Sequence, residues 1–334
     1  MVMDYILLRY FFSFIFSTLL AIYLIPVLIK TAFKFNILDV PDGKIKKHQK
    51  AVPYLGGVSI YIPFIATLSI VYPFENQILW LFLGISLLLF VGLIDDLKIL
   101  KPLQKLFGQI LAVICFLKGG FSLKTNFFVV IFNVFLSGFW MLSVINAFNL
   151  VDVMDGLATV LAIIAGVSFL IISLILNLPS ITILILSFLG PLFVYFFYNR
   201  PPAKIYLGDA GSMYVGGFLA AIPLLFPWSS CFFNAYYTPV IILGIPLLEV
   251  FSLVIIRTYL GIPFYKGSPH HFAIYLRNKG WSIIQVLIFT IIMSSILSAG
   301  AILFLFQFIN FNLLIILGIL FLLIWFYFIF LKKH

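Results

Sequence analysis

Between Ile181 and Tyr198 the chain runs without a single charged side chain, and further stretches along its length are nearly as apolar. That repetition restricts the fold more than any other feature. A helix needs roughly 20 apolar residues to cross a bilayer. Inside lipid its backbone groups must be satisfied within the segment, which a helix does unaided. The apolar runs lie near 5–29, 54–73, 78–94, 103–118, 127–148, 157–176, 181–198, 212–226, 238–258, 283–306 and 311–331. Barrel strands would be about 10 residues of alternating pattern, so these runs read as helices. Of 334 residues, 64% are hydrophobic and 9% charged, whereas soluble domains are about a quarter charged. The expected architecture is all-α: one polytopic domain spanning 1–334 with about eleven transmembrane helices.

Charge placement orients those helices. The net charge is +10, and its distribution is uneven. With an outside N-terminus, Lys30, Lys34, Lys44, Lys46, Lys47, Lys50, Lys98, Lys101, Lys105, Arg200, Lys204, Arg257, Lys266, Arg277, Lys279, Lys332 and Lys333 all fall on the cytoplasmic side. Arg9, Lys118 and Lys124 remain opposite. The positive-inside rule then predicts the N-terminus outside and the C-terminus cytoplasmic. Asp39, Asp42, Asp95, Asp96, Asp152, Asp155 and Asp209 share the cytoplasmic side. Acids at a membrane boundary are costly and mark function more often than decoration. Cys115 and Cys231 lack the spacing of a zinc site and read as small hydrophobes.

Four constellations carry the chemistry. Asp95-Asp96 ends the third run; adjacent carboxylates repel unless a cation or proton lies between them. Magnesium suits such a pair, because it takes one or two carboxylates together with phosphate oxygens. Lys105 opens the next run and could face the same phosphates. Asn146, Asn149, Asp152 and Asp155 recur at three-residue steps, a spacing that shares one face if the whole stretch is helical. Gly208-Asp209-Ala210-Gly211-Ser212 leads straight into an apolar run. The N–H groups that open such a helix favour an anion. His270-His271, in a loop on the same side, suits phosphate contact or proton transfer. Taken singly, each has a bland reading: a hydrated turn, a polar stripe at a helix interface, a tight turn, a surface histidine pair. Their shared side of the membrane argues for one site.

In this order, and with His48, Pro53 and Gly56-Gly57 ahead of them, the motifs resemble the polyprenyl-phosphate N-acetylhexosamine-1-phosphate transferase superfamily, of glycosyltransferase family 4 type. The resemblance covers nearly the whole chain. It implies a phosphotransferase in a bacterial inner membrane with its active site facing the cytoplasm. The implied donor is a UDP-sugar, UDP-GlcNAc first; the acceptor is a polyprenyl phosphate, the released product is UMP, and a cell-envelope glycopolymer is initiated. It implies Mg2+, with Mn2+ as a substitute, and Asp209 as a direct metal ligand. Asp95 and Asp96 would hold the metal or deprotonate the lipid phosphate, and Asp152 would support catalysis. Asn149 and Asp155 would serve the nucleotide; Lys105, Lys204, His270 and His271 would meet phosphates. Pro246-Leu-Leu-Glu249 followed by Arg257 resembles another family segment, with Glu where Asp is usual. Val153 stands where Gly is usual, an expected change in the local turn, and Ser268 stands at the first position of an HxHH pattern.

Other classes fit less well. A phospho-MurNAc-pentapeptide transferase belongs to the same superfamily, but the Pro53-Tyr-Leu-Gly-Gly loop is closer to the N-acetylhexosamine group. An ion-coupled transporter places its coupling residues near the midplane between repeated halves, and no repeat is visible. Asp155-Gly156-Leu157-Ala158 begins like a CDP-alcohol phosphotransferase signature, but Thr159 replaces the required Arg. No nucleic-acid partner is expected, and a homodimer through lipid-facing helices is left open.

Overall fold

Each of the eleven apolar runs condenses into helix. The computed structural model describes residues 2–39, 51–73, 75–125, 129–231, 233–263 and 265–327. In chain order the helices are α1 (Val2–Lys34), α2 (Gly56–Val71), α3 (Asn76–Leu97), α4 (Pro102–Lys118), α5 (Val130–Val151), α6 (Leu157–Ile175) and α7 (Pro179–Asn199). There follow α8 (Gly208–Ala221), α9 (Trp228–Cys231), α10 (Tyr237–Ile242), α11 (Gly244–Tyr259), α12 (Phe272–Asn278), α13 (Ile283–Leu305) and α14 (Phe311–Phe326). One short antiparallel pair, β1 (Leu38–Asp39) with β2 (Val52–Pro53), joins Leu38 to Pro53 and Asp39 to Val52. Asp42, Lys44, Lys46, Lys47, His48, Lys50, Lys332 and Lys333 lie outside the described residues.

The chain is an all-α polytopic membrane protein, although helix length does not yield eleven full crossings. Among the described residues, α1, α3, α5, α6, α7 and α13 are long and apolar enough to span a bilayer. The segment through α10 and α11, bent by 77°, makes a seventh if counted as one span. The other runs form shorter helices: 16 residues in α2 and α14, 17 in α4 and 14 in α8. At about 1.5 Å per residue the shortest extends roughly 21 Å, less than a hydrocarbon core of about 30 Å. Hydropathy cannot see this difference, because a helix buried in the bundle is as apolar as one in lipid.

That central helix is α8. Ala210 through Ala221 are buried on every side, with α2, α3, α5 and α6 packed around them. Aromatic side chains lock its middle: Phe218 stacks on Phe188 at 4.2 Å between centroids and meets Phe64 edge-on at 5.3 Å. Its first turn is approached by backbone. A Cβ on Gly57 would collide with Gly211, and one on Gly92 with Ala210. Glycine is required where two helices close to this distance.

These contacts fix which helix ends meet. The start of α2 bonds to the chain entering α8, Gly56 N to Tyr206 O at 3.1 Å and Gly57 N to Leu207 O at 3.2 Å. The end of α3 and the starts of α4 and α8 gather there, as does the end of α5. At the same end Gly156 faces Leu287 of α13 and Arg200 beyond α7. One end of the bundle therefore collects the turns that the sequence marks as polar.

Candidate active site

The carboxylates converge on one lysine. Lys105, in the first turn of α4, places Nζ 2.9 Å from Asp95 Oδ2 and 2.6 Å from Asp209 Oδ2. It also donates to Asn149 Oδ1 at 2.9 Å. Asn149, near the end of α5, donates through Nδ2 to Asp209 Oδ1 at 2.7 Å and to Ser212 Oγ at 3.0 Å. Asp95 Oδ1 accepts the Leu100 N–H at 2.7 Å, which folds the α3–α4 turn back and points Oδ2 at Lys105. Four helices thus each contribute a polar group to one knot.

Asp96 does something different. Its Oδ1 accepts the N–H of Asp209 at 2.8 Å and its Oδ2 that of Ala210 at 3.1 Å. Both oxygens clamp the first turn of α8, as a side-chain cap does, and the negative charge suits a helix N-terminus. Gly208 has φ +69, and a Cβ there would lie 2.7 Å from Asp96 Oδ2. Hence Gly precedes Asp209: only glycine accepts that backbone with the clamp so close. Asp96, expected as a metal holder or base, accepts one backbone N–H at each oxygen, and these bonds anchor Asp209.

The three-residue stripe does not continue as helix. Because α5 ends at Val151, only Asn146 and Asn149 share its face. Asn146 forms a reciprocal amide pair with Gln109 of α4, at 3.2 and 2.9 Å. Asp152 is the C-cap residue of α5. Burial, then the charges of Asp209, Asp96 and Asp155, push its carboxyl well above the ordinary range. A bound cation would oppose that shift. Asp155 turns away to accept the Ala203 N–H at 2.9 Å. Burial first, then Asp155 and Asp39, pushes the Tyr206 hydroxyl up to about 12.

Lys204 stands exposed in the loop and contributes its backbone N–H to Tyr198 O at 2.7 Å. The histidines form a second, separate group. His271 Nδ1 lies 2.9 Å from Glu249 Oε1 of α11, and Arg257 Nε donates to Ser268 Oγ at 2.8 Å. The ring of His270 lies 6.2 Å from that of Tyr275. Gly156 opposite Leu287 places the start of α13 at the carboxylate end, and the histidine loop precedes it. Contacts among the described residues tie these histidines to Glu249 and Tyr275, not to Asp95 or Asp209.

Asn199 opens the stretch to Ser212 that the sequence marks as a motif, without an individual role of its own, yet it holds the mouth together. Its Oδ1 accepts from Gly156 N at 3.1 Å and Thr159 Oγ1 at 2.8 Å, while Nδ2 donates to Ile205 O at 3.0 Å. The readable signal is an amide ending an apolar helix just before Arg200-Pro201-Pro202. The unusual Val153 proves undemanding: it is 37% exposed and its φ is not positive. Val153→Gly is therefore expected to change activity by less than about twofold, the ordinary scale of a surface substitution. A tenfold change in steady-state rate would show that this position acts on the substrate.

The donor set can be weighed against a divalent ion. Among the described residues no three His, Cys, Asp or Glu side chains are arranged as a ready metal cage. Magnesium does not need one: a carboxylate or two, with the remaining positions filled by phosphate and water, is its usual protein site. Asp209 Oδ2 and Asp95 Oδ2, already drawn together around the cation of Lys105, are hard oxygen donors of the right kind.

The family described as glycosyl transferase family 4 matches residues 78–226, the span that carries Asp95, Lys105, Asn149, Asp152 and Asp209. A probable undecaprenyl-phosphate N-acetylglucosaminyl 1-phosphate transferase of Bacillus subtilis (strain 168) is 30% identical over 275 residues, 78% of this chain and 74% of that one. An undecaprenyl-phosphate alpha-N-acetylglucosaminyl 1-phosphate transferase of Thermotoga maritima is 31% identical over 274 residues, covering 81% and 84%. A phospho-N-acetylmuramoyl-pentapeptide-transferase of Enterococcus hirae is 32% identical over 257 residues, covering 69% and 77%. With the carboxylate knot inside the matched span and long alignments to these relatives, the chain belongs to glycosyl transferase family 4.

Proposed function

We propose that this protein transfers a sugar 1-phosphate, GlcNAc-1-phosphate foremost, from a UDP-sugar to a polyprenyl phosphate and releases UMP. The observation that carries the reading is the meeting of Asp95, Asn149 and Asp209 on Lys105 at one end of an apolar bundle. A lipid acceptor must stay in the membrane and a nucleotide donor must stay in water. A site at helix ends serves both.

The bonds balance simply. An oxygen of the lipid phosphate forms a new bond to the β-phosphorus, and the bond from that phosphorus to the oxygen bridging to the α-phosphate breaks. Phosphoryl transfer asks the protein for positioning and charge neutralisation more than for covalent help. Lys105 directs its three donors to Asp95, Asp209 and Asn149 and so holds the two acids at a fixed separation; it would turn one of those donors to a donor phosphate once an ion or substrate takes over that contact. Asp209 would hold Mg2+, or Mn2+ in its place, with Asp95 beside it. When bound, the ion supplies charge neutralisation for phosphate oxygens. Asp96 keeps Asp209 in register through the first turn of α8, and Asn149 fixes its rotamer. Asp152, buried and crowded by three other acids, would be held in its ionised form by a cation in the mouth. Asp155 shapes the loop from Arg200 to Leu207 on which the nucleotide would rest. Lys204, His270 and His271 would meet phosphates.

Orientation belongs to the same proposal. Counting α2, α4, α8 and α14 as short crossings beside the six long helices and the bent pair gives eleven, an odd number. By the positive-inside rule the basic residues then favour a carboxylate end facing the cytoplasm of a bacterial cell membrane, with the N-terminus outside and the C-terminus inside.

The test is a donor panel in membranes or detergent. UMP release is expected only when UDP-GlcNAc, polyprenyl phosphate and Mg2+ are supplied together, and removing the ion with a chelator should stop it. Turnover of UDP-MurNAc-pentapeptide instead would keep the reaction and overturn the sugar. No turnover with any nucleotide-sugar would overturn the reading.

A further inference from the structure

Glu249 lies on α11 with 2% of its surface exposed. A carboxylate removed from water that far is heavily penalised unless it is paired and hydrogen-bonded. Its two oxygens meet two partners. Oε2 faces the Phe272 N–H at 3.4 Å, at the start of α12, and Oε1 lies 2.9 Å from His271 Nδ1. A backbone N–H can only donate, and an ionised carboxylate can only accept. This geometry therefore draws the imidazole proton to Nδ1. Which ring nitrogen remains available is set by the bond the other one makes. For His271 the remaining atom is Nε2, on a side chain that keeps only 8% exposure.

We propose that Glu249 is a positioning residue: it fixes His271 with the proton on Nδ1 and holds the ring so that Nε2 is offered to a phosphate of the nucleotide-sugar. The inference rests on the transfer reading above. Two details support an oriented ring rather than a filler contact. The same loop is pinned a second time, by Arg257 Nε on Ser268 Oγ at 2.8 Å. The neighbouring His270, by contrast, has a buried Nδ1 with no hydrogen-bond partner among the described residues. Of the two adjacent rings, only His271 has its Nδ1 held by an acid. With a second proton on the ring, Nε2–H donates to a phosphate oxygen; without it, Nε2 accepts from a phosphate hydroxyl. In both states Nε2 is the nitrogen left to meet the substrate.

A mutant cycle on the full-length protein tests this. Glu249→Gln is expected to raise the KM for the nucleotide-sugar about tenfold, the lower range for loss of a group that orients a ligand-bearing histidine. The KM for polyprenyl phosphate should not move. In a His271→Ala background the same change should add less than about twofold, because the acid acts through the ring. Equal losses in both backgrounds, or no loss in the first, would overturn the proposal. A second pair of variants does not depend on how well a Glu249 variant folds. His271→Asn keeps an amide near Nδ1 for Glu249 but has nothing at Nε2, while His271→Gln does the reverse. His271→Gln should retain the lower donor KM; a better His271→Asn would show that the bond to Glu249 serves the fold alone. If the wild-type protein turns over no nucleotide-sugar, the transfer reading fails and this proposal falls with it. If the wild type is active and the cycle is additive, this proposal fails alone.

Discussion

Asp209→Asn is expected to lower sugar-phosphate transfer by about a thousandfold, the upper range for loss of one preorganised electrostatic group, with the bundle still folded and inserted. The side chain keeps its size but loses its charge and half of its acceptors. At present Oδ2 takes Lys105 at 2.6 Å and Oδ1 takes Asn149 at 2.7 Å. An asparagine offers one oxygen and one NH2, so one of those two donors would face another donor. Lys105 would then be held by Asp95 alone among acids. Folding should suffer little, because Asp209 also repels Asp152, and removing its charge relieves that repulsion. The check is the steady-state rate of UMP release beside thermal unfolding in detergent. Activity within tenfold of wild type would remove Asp209 from the centre of the chemistry.

Gly92→Ala should damage the same site from a distance. Gly92 lies on α3, a turn before Asp95 and Asp96, and bears no functional group. A Cβ there would run into the backbone N and Cα of Ala210 and the carbonyl carbon of Asp209. Backbone cannot rotate out of the way as a side chain can, so α3 and α8 must separate. That breaks the Asp96 clamp on the Asp209 and Ala210 N–H groups, bonds of 2.8 and 3.1 Å. Overpacking of this kind costs about 3 kcal/mol. The expected result is a lower unfolding temperature together with a large loss of transfer. Wild-type values for both would mean that the two helices can part without disturbing Asp209.

Apolar runs marked every spanning element, because lipid and protein interior reward the same side chains. For that reason they could not separate α8, sheathed by other helices, from α1, whose Tyr5, Leu8 and Tyr23 remain exposed. Asp95, Lys105, Asn149 and Asp209 could be read because charge is rare in such a chain and each stands at the end of a run. Their mutual geometry could not. Nothing in the spacing of Asp95 and Asp96 says that the first faces Lys105 while the second caps α8, since that choice depends on the approach of Gly92 to Ala210. Similarly, Asp155 looks like a continuation of the Asn146–Asn149 stripe until α5 stops at Val151 and its carboxylate turns to Ala203. Glu249 and His271 lie far apart in sequence and meet only because the loop after α11 folds back.

Convergence of acids around a divalent ion is the claim on which the rest depends, and Mn2+ binding followed by electron paramagnetic resonance tests it without reference to turnover. The wild-type protein in detergent should bind one Mn2+ that Mg2+ displaces, and Asp209→Asn should lose that signal while remaining folded. Equal Mn2+ occupancy in the two proteins, or none in the wild type with nucleotide-sugar present, would contradict the account.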